Sequence, residues 1–288
     1  MTVPEWFRWA LEQKPHRFEL DVEGVPIAYR AWGEPGDPVA VLVHGGAAHS
    51  GWWDHVAPHL AVGHRVIAPD LSGHGDSGHR DAYTLEQWAR EVLTVAQSES
   101  AEQPVVFGHS MGGFVALTAA REHGADLLGA AAIDSPVKAV SPEARSWRAD
   151  RADPAMPLYP DAATMVSRFR TLPEDPSCLP YIRDHIARGS ITRVERPDGA
   201  GWTWKFDPRV FLRSMMEPAD VARSACEVAL LRGERGMATT DITEEIRSRL
   251  GGNVPVTVIP DSGHHIMLDQ PTALIAVLQT LLGQWRRR

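Results

Sequence analysis

The chain reads as an α/β protein: a mostly parallel sheet with helices on both faces and one inserted segment. Three observations predict this. Short runs that are apolar on both faces recur at 38–46, 104–113, 127–136, 226–234 and 254–265. Such runs suit buried parallel strands. Segments with helical spacing alternate with them, at 84–98, 114–124 and 272–285. The rhythm breaks at 137–225, which is rich in proline, arginine and aromatic residues.

Each element has its own signal. Residues 17–31, "RFELDVEGVPIAYRA", alternate and turn at Glu23-Gly24, which predicts a hairpin. "PVAVLVHGG" (38–46) and "HRVIAPDLSGHGDSG" (64–78) are strands that run into glycine-rich loops. "TLEQWAREVLTVAQS" (84–98) opens on a threonine and a charged first turn, as helices do. "PVVFGHSMGG" (104–113) is a strand broken by a tight turn, and 114–124 continues as a helix stopped by Gly124. Within the insertion, 161–172 and 178–189 predict short helices, and 191–207 predicts a hairpin around Pro197–Gly201. These marks divide the chain into a core, 1–136 and 226–288, and a lid, 137–225, over an active site.

Composition narrows the function. The formal net charge is −8, so a nucleic-acid partner gains no general electrostatic support. The terminal "WRRR" reads as a short solvated tail. Cys178 and Cys226 have neither CxxC spacing nor a histidine cluster nearby, which argues against a disulfide framework or a zinc site. The first twenty residues lack a secretory pattern, and no apolar stretch approaches a membrane span. The expectation is a cytoplasmic protein with a small-molecule substrate, no metal or cofactor and no membrane partner. A homo-oligomer is compatible with the sequence.

The strongest chemical signal is Gly108-His109-Ser110-Met111-Gly112. A GxSxG pattern alone is weak; here a strand precedes it and a helix follows. That context puts Ser110 on a sharp turn at the carboxyl edge of the sheet. A serine hydroxyl needs a base. His264, in "DSGHHIMLDQP", follows the last predicted strand and returns to the same edge; His265 is its neighbour and rival. His109 is read as a packing residue, and His44 and His74 as supports for glycine loops. In "VHGGAAHSGWW" (43–53), Gly46, with Ala47 second, is read as one oxyanion donor. The backbone N–H of Met111 is the other.

Together, "HGG", "GHGDSG", "GHSMGG" and "SGHHIMLDQP" resemble the α/β-hydrolase family over roughly residues 20–286. The resemblance implies an eight-stranded, mostly parallel sheet with a lid after strand six. It also implies a Ser-acid-His order along the chain.

The acid departs from the common pattern. The family usually places it soon after the strand-seven glycine, but Gly233 is followed by Glu234, Arg235, Gly236, Met237 and Ala238. Four aspartates compete. Asp70 ends strand four, where the family uses it structurally. Asp261 suits a turn, and Asp241, the alternative acid, suits a helix N-terminus. Asp134 ends "LLGAAAID" at the carboxyl edge, one strand beyond the nucleophile. This resembles the esterase-like subset whose acid follows strand six. The loop after Gly233 then forms a wall of the site.

The expected activity is hydrolysis of a carboxylic ester, lactone or thioester through Ser110, His264 and Asp134. A carbon–carbon bond hydrolase or lyase, or a cofactor-free perhydrolase, could use the same triad. A binding protein on a hydrolase fold is a third class, which the intact Ser110 and His264 oppose. Trp52, Trp53, Trp147, Trp204 and Met215 are candidates for the substrate pocket, or for the lid's own core. Arg145, Arg148, Arg151 and Arg168 read as solvated lid arginines.

Overall fold

The structure is a computed structural model that describes residues 3–152, 156–197 and 199–287. Asp198, in the turn of the predicted 191–207 hairpin, and Arg288, at the end of the basic tail, lie outside these residues.

The chain opens with helix α1 (Glu5–Glu12) and the hairpin β1 (His16–Val22) and β2 (Val25–Trp32). Glu23 and Gly24 both take positive φ at its turn, which pairs Val22 with Val25. Then come β3 (Val39–Val43), helix α2 (Ala57–Leu60), β4 (Arg65–Pro69), α3 (Leu85–Glu99), β5 (Val105–His109), α4 (Met111–His123) and β6 (Gly129–Ile133). The insertion carries α5 (Pro142–Arg151), α6 (Ala162–Ser167), α7 (Pro180–Gly189) and a separate hairpin, β7 (Ile191–Arg196) with β8 (Gly199–Trp204). The core resumes with β9 (Glu227–Gly233), α8 (Thr240–Arg249), β10 (Val256–Ile259), α9 (Ile266–Asp269) and α10 (Pro271–Trp285).

The eight core strands form one sheet in the order β1-β2-β4-β3-β5-β6-β9-β10. β1, β2 and β4 pair antiparallel; every other pair is parallel. Strands β3 to β6 are buried along their whole length, because helices cover both faces. Alternate side chains feed two cores. Val41 and Val106 join Trp88, Phe114 and Val115 on one face. Leu42 and Phe107 join Ile133, Leu278 and Trp285 on the other. Each such side chain contributes about 1.5–3 kcal/mol by leaving water.

Some elements differ from the sequence expectation, each for a physical reason. The helix expected over 161–172 ends at Ser167; Asp161 caps its start by accepting the Thr164 N–H at 2.7 Å. Helix α5 carries no apolar stripe and buries no residue. Local signals start it: the Ser141 hydroxyl accepts the Ala144 N–H, and Pro142 opens the first turn. Hydrophobic periodicity is blind to such a helix.

The topology decides where chemistry can occur. β5 lies between β3 and β6, and β9 and β10 follow on the same side. The carboxyl ends of these five parallel strands therefore bring five loops to one edge of the sheet.

Candidate active site

Ser110 sits between β5 and α4 at φ 54° and ψ −114°. A non-glycine residue there stores on the order of 1–3 kcal/mol of strain. The surroundings hold it in place: its N–H donates to the Ile133 carbonyl at 2.9 Å. The flanking glycines make the turn possible. A Cβ on Gly108 would lie 2.0 Å from the Gly112 carbonyl oxygen, and one on Gly112 would lie 2.5 Å from that of Val43. The GxSxG spacing is thus a steric requirement of the turn.

His264, in the loop after β10, bridges two groups. Its Nε2 lies 3.0 Å from Ser110 Oγ, and its Nδ1 lies 2.6 Å from Asp134 Oδ2. His264 is 4% exposed and Asp134 fully buried. Asp134 follows β6 and holds a positive φ of 45°, anchored by its N–H to the Leu231 carbonyl at 2.8 Å. Its carboxylate also accepts the N–H of Gly233 at 3.1 Å and of Met237 at 2.8 Å. A buried carboxylate requires such donors.

The loop after β9 is therefore more than a wall. The N–H of Gly233, at the end of β9, and that of Met237, in the loop, hold the Asp134 carboxylate from the end of β6. Gly236 makes room for it: a Cβ there would lie 1.9 Å from Asp134 Oδ1. Sequence reading missed this contact, although the glycine in "RGERGM" was its trace.

The remaining aspartates lie away from the histidine. Asp70 accepts the N–H groups of Ser50 at 2.6 Å and Asp76 at 2.9 Å, and so ties two loops together. Asp261 sits in a positive-φ turn with its side chain 84% exposed. Asp241 is exposed in the first turn of α8 and bonds the Thr239 hydroxyl. That bond holds its carboxyl below the usual range. The N-cap itself falls on Thr239, two residues earlier than Asp241.

The other histidines fill supporting places. His109 Nε2 donates to the His264 carbonyl at 2.8 Å, so the variable residue of the GxSxG motif pins the backbone of the histidine opposite. His44 Nε2 accepts the Leu71 N–H at 3.1 Å and steadies the glycine loop. Burial lowers the pKa of both. His265 bonds neither Ser110 nor Asp134; both its ring nitrogens are buried without a hydrogen-bond partner, and burial pushes its pKa down to about 3. His109, His264 and His265 place ring nitrogens within 4.8 Å of one another. That set could hold a transition metal only by drawing His264 away from Ser110 and Asp134, since both its nitrogens are engaged.

The loop after β3 lies against the elbow. A Cβ on Gly45 would lie 3.4 Å from Ser110 Cβ, and one on Gly46 would lie 3.7 Å from Met111 Sδ. Ala47 follows at φ 56°. Met111 is the first residue of α4, so its N–H has no intrahelical acceptor.

A cavity of about 450 Å³ lies between this loop and the insertion. Ala47, Met156, Phe169, Leu172, Trp204, Phe206 and Phe211 are among its walls. Of the five pocket candidates, Trp204 lines it. Trp53 is wholly buried in the core, and Trp52 packs against Phe169 and His265. Trp147 is 44% exposed under the Arg151 guanidinium, and Met215 packs on the core. Phe169, Leu172 and Phe206 carry no sequence pattern that separates them from ordinary core residues.

The sheet order, the strained serine elbow and the adjoining histidine define a hydrolase-type fold. Residues 40–277 match the model of the alpha/beta hydrolase family, and the chain belongs to that family. It is similar to Esterase Rv0045c of Mycobacterium tuberculosis, 27% identical over 271 residues, 91% of this chain and 88% of that protein. It is also similar to the 3-hydroxybutyrate-oligomer hydrolase of Cupriavidus necator, 25% identical over 293 residues, 89% of this chain and 93% of the other. A solved structure of the M. tuberculosis esterase shares the fold, with a TM-score of 0.77 at 22% identity, covering 98% of this chain and all of that one.

Proposed function

We propose that the protein is a serine hydrolase that cleaves a carboxylic ester of a small to medium organic substrate. The carrying observation is the His264 ring, 3.0 Å from Ser110 Oγ on one side and 2.6 Å from Asp134 on the other. The full-length similarity to an esterase supports the same reading.

In this mechanism His264 Nε2 takes the proton of Ser110 as Oγ attacks the ester carbonyl. Asp134 fixes the ring by accepting from Nδ1 and stabilises the imidazolium. The N–H groups of Gly46 and Met111 hold the oxyanion. His264 then protonates the leaving alcohol, and water, activated by the same ring, releases the acid from Ser110. The insertion over 137–225 acts as a lid, and the cavity it closes takes the substrate's apolar part.

The reading extends to a cytoplasmic setting. Cys178 and Cys226 are free thiols, and no helix among the described residues is long and apolar enough to cross a membrane. The test is turnover of methyl and nitrophenyl esters of graded chain length, with a burst of alcohol release ahead of steady state. Turnover without an acyl-enzyme would favour lyase chemistry instead.

A further inference from the structure

Arg213 is the unexplained charge of this site. It follows a short helical turn of the insertion (208–212) and reaches the glycine loop after β3. A Cβ on Gly46 would lie 4.0 Å from its Nη2. Its Nη1 donates to the Val210 carbonyl at 3.0 Å, and its Nε is buried without a partner. The guanidinium stands 5.8 Å from the centre of the Trp88 ring. Among the described residues no carboxylate pairs with it. Another arginine adds its charge: Arg148 acts on the Arg213 guanidinium, and its Nη2 donates to the Arg213 carbonyl at 2.6 Å. Burial and the Arg148 charge lower the Arg213 pKa to about 9, which still leaves it charged at neutral pH.

A second observation points the same way. The cavity beside this group contains Arg151, Arg168 and Arg170 and no acidic residue among its walls. Arg170 reaches Glu174 at 3.7 Å. Arg151 and Arg168 instead lie over the rings of Trp147 and Tyr159, and neither has an acidic partner among the described residues. Ala47 and Phe211 line the cavity and are close in sequence to Gly46 and Arg213, so the two features adjoin.

Arg213 is half-buried with its Nε shut off from water, and a partly desolvated cation without a counter-ion is costly unless a ligand supplies the missing charge. We infer that Arg213 is a specificity-determining residue that receives a free carboxylate on the substrate. This rests on the serine-ester reading and narrows it to an ester that carries a second, unesterified acid group. The planar guanidinium suits a carboxylate bidentately. Arg148 positions Arg213 by holding its backbone carbonyl, and Arg151 and Arg168 extend the positive field along the cavity. The aromatic walls take the apolar chain between the two ends of the substrate.

The test compares monomethyl esters of glutaric and adipic acids with methyl pentanoate and methyl hexanoate, by proton release. A parallel set places the carboxylate in the alcohol arm, using acetylated hydroxy acids against alkyl acetates. The expected result is a preference of about tenfold or more in kcat/KM for one carboxylate series. Arg213→Gln should bring that ratio near one, and Arg213→Lys should restore part of it. If Arg213→Gln does not fold, inhibition of the wild-type protein decides: glutarate should compete at a concentration at least about tenfold lower than pentane-1,5-diol. Equal use of neutral and carboxylate esters, or a preference unchanged in Arg213→Gln, would overturn the inference and leave the ester-hydrolase reading standing. Failure to hydrolyse any ester, with no labelling of Ser110 by a fluorophosphonate, would remove both.

Discussion

Gly236 faces Asp134 so closely that a methyl group on it would lie 1.9 Å from the carboxylate oxygen. The neighbouring Met237 N–H holds the other oxygen of the same carboxylate at 2.8 Å. An acid from the end of β6 and a loop from the end of β9 are thus built around each other. Gly236→Ala should push the carboxylate off His264 and lower kcat by about 100-fold or more, the effect of a 1 Å misplacement. KM should move far less. Unchanged kcat in a folded Gly236→Ala protein would show that this contact does not position the acid.

The choice of acid has a direct comparison. Asp134→Asn should reduce ester turnover by about 10⁴-fold, by analogy with other Ser-His-Asp sites. Asp241→Asn, at an exposed helix start, should stay within about twofold of wild type, as surface changes do. The reverse pattern would return the acid to the loop after β9.

The serine elbow should be intolerant of a methyl group at its glycines. A Cβ on Gly112 would lie 2.5 Å from the Val43 carbonyl oxygen and 2.6 Å from that of His44, and backbone there cannot yield cheaply. Gly112→Ala should lose about 1–3 kcal/mol of stability or more, read by urea unfolding, together with activity. A variant as stable as wild type would show that β3 and α4 can part without cost.

Asp269 links pH to stability. It is buried, its Oδ1 has no hydrogen-bond partner, and desolvation raises its pKa from 3.8 to about 6. The folded chain therefore holds this proton more tightly than the unfolded chain. Its contribution is fully present below pH 4 and is lost as pH rises through about 6. A shift of about two units is about 3 kcal/mol at most. Unfolding of wild type and Asp269→Asn between pH 4 and 7.5 should show the difference moving in favour of the variant by up to that amount. A pH-independent difference would mean that Asp269 is ionised across the range.

Much of this was legible in the sequence because it is local. Apolar runs ending in glycine mark β3 and β5, an apolar run ending in an aspartate marks β6, and the position of Ser110 after β5 follows from one strand-turn-helix pattern. Asp134 was legible as a candidate at the end of an apolar run, because the expected aspartate is missing from the loop after Gly233. What escaped was set by tertiary contact. The role of Gly236 depends on a carboxylate 102 residues earlier in the chain, and the His109 bond to the His264 carbonyl joins β5 to the loop after β10. Trp53 was indistinguishable from a pocket residue by type; only its burial separates it from Trp204. Arg213 was invisible because an unpaired arginine is defined by what fails to surround it.

The central claim is that Ser110 is a nucleophile activated by His264. Mass analysis after treating the native protein with a fluorophosphonate tests it most directly. The account predicts one added phosphonyl group, on the peptide carrying Ser110, absent in Ser110→Ala and strongly slowed in His264→Ala but not in His265→Ala. A native protein that takes up no label at Ser110, or takes it up equally fast without His264, would contradict the account.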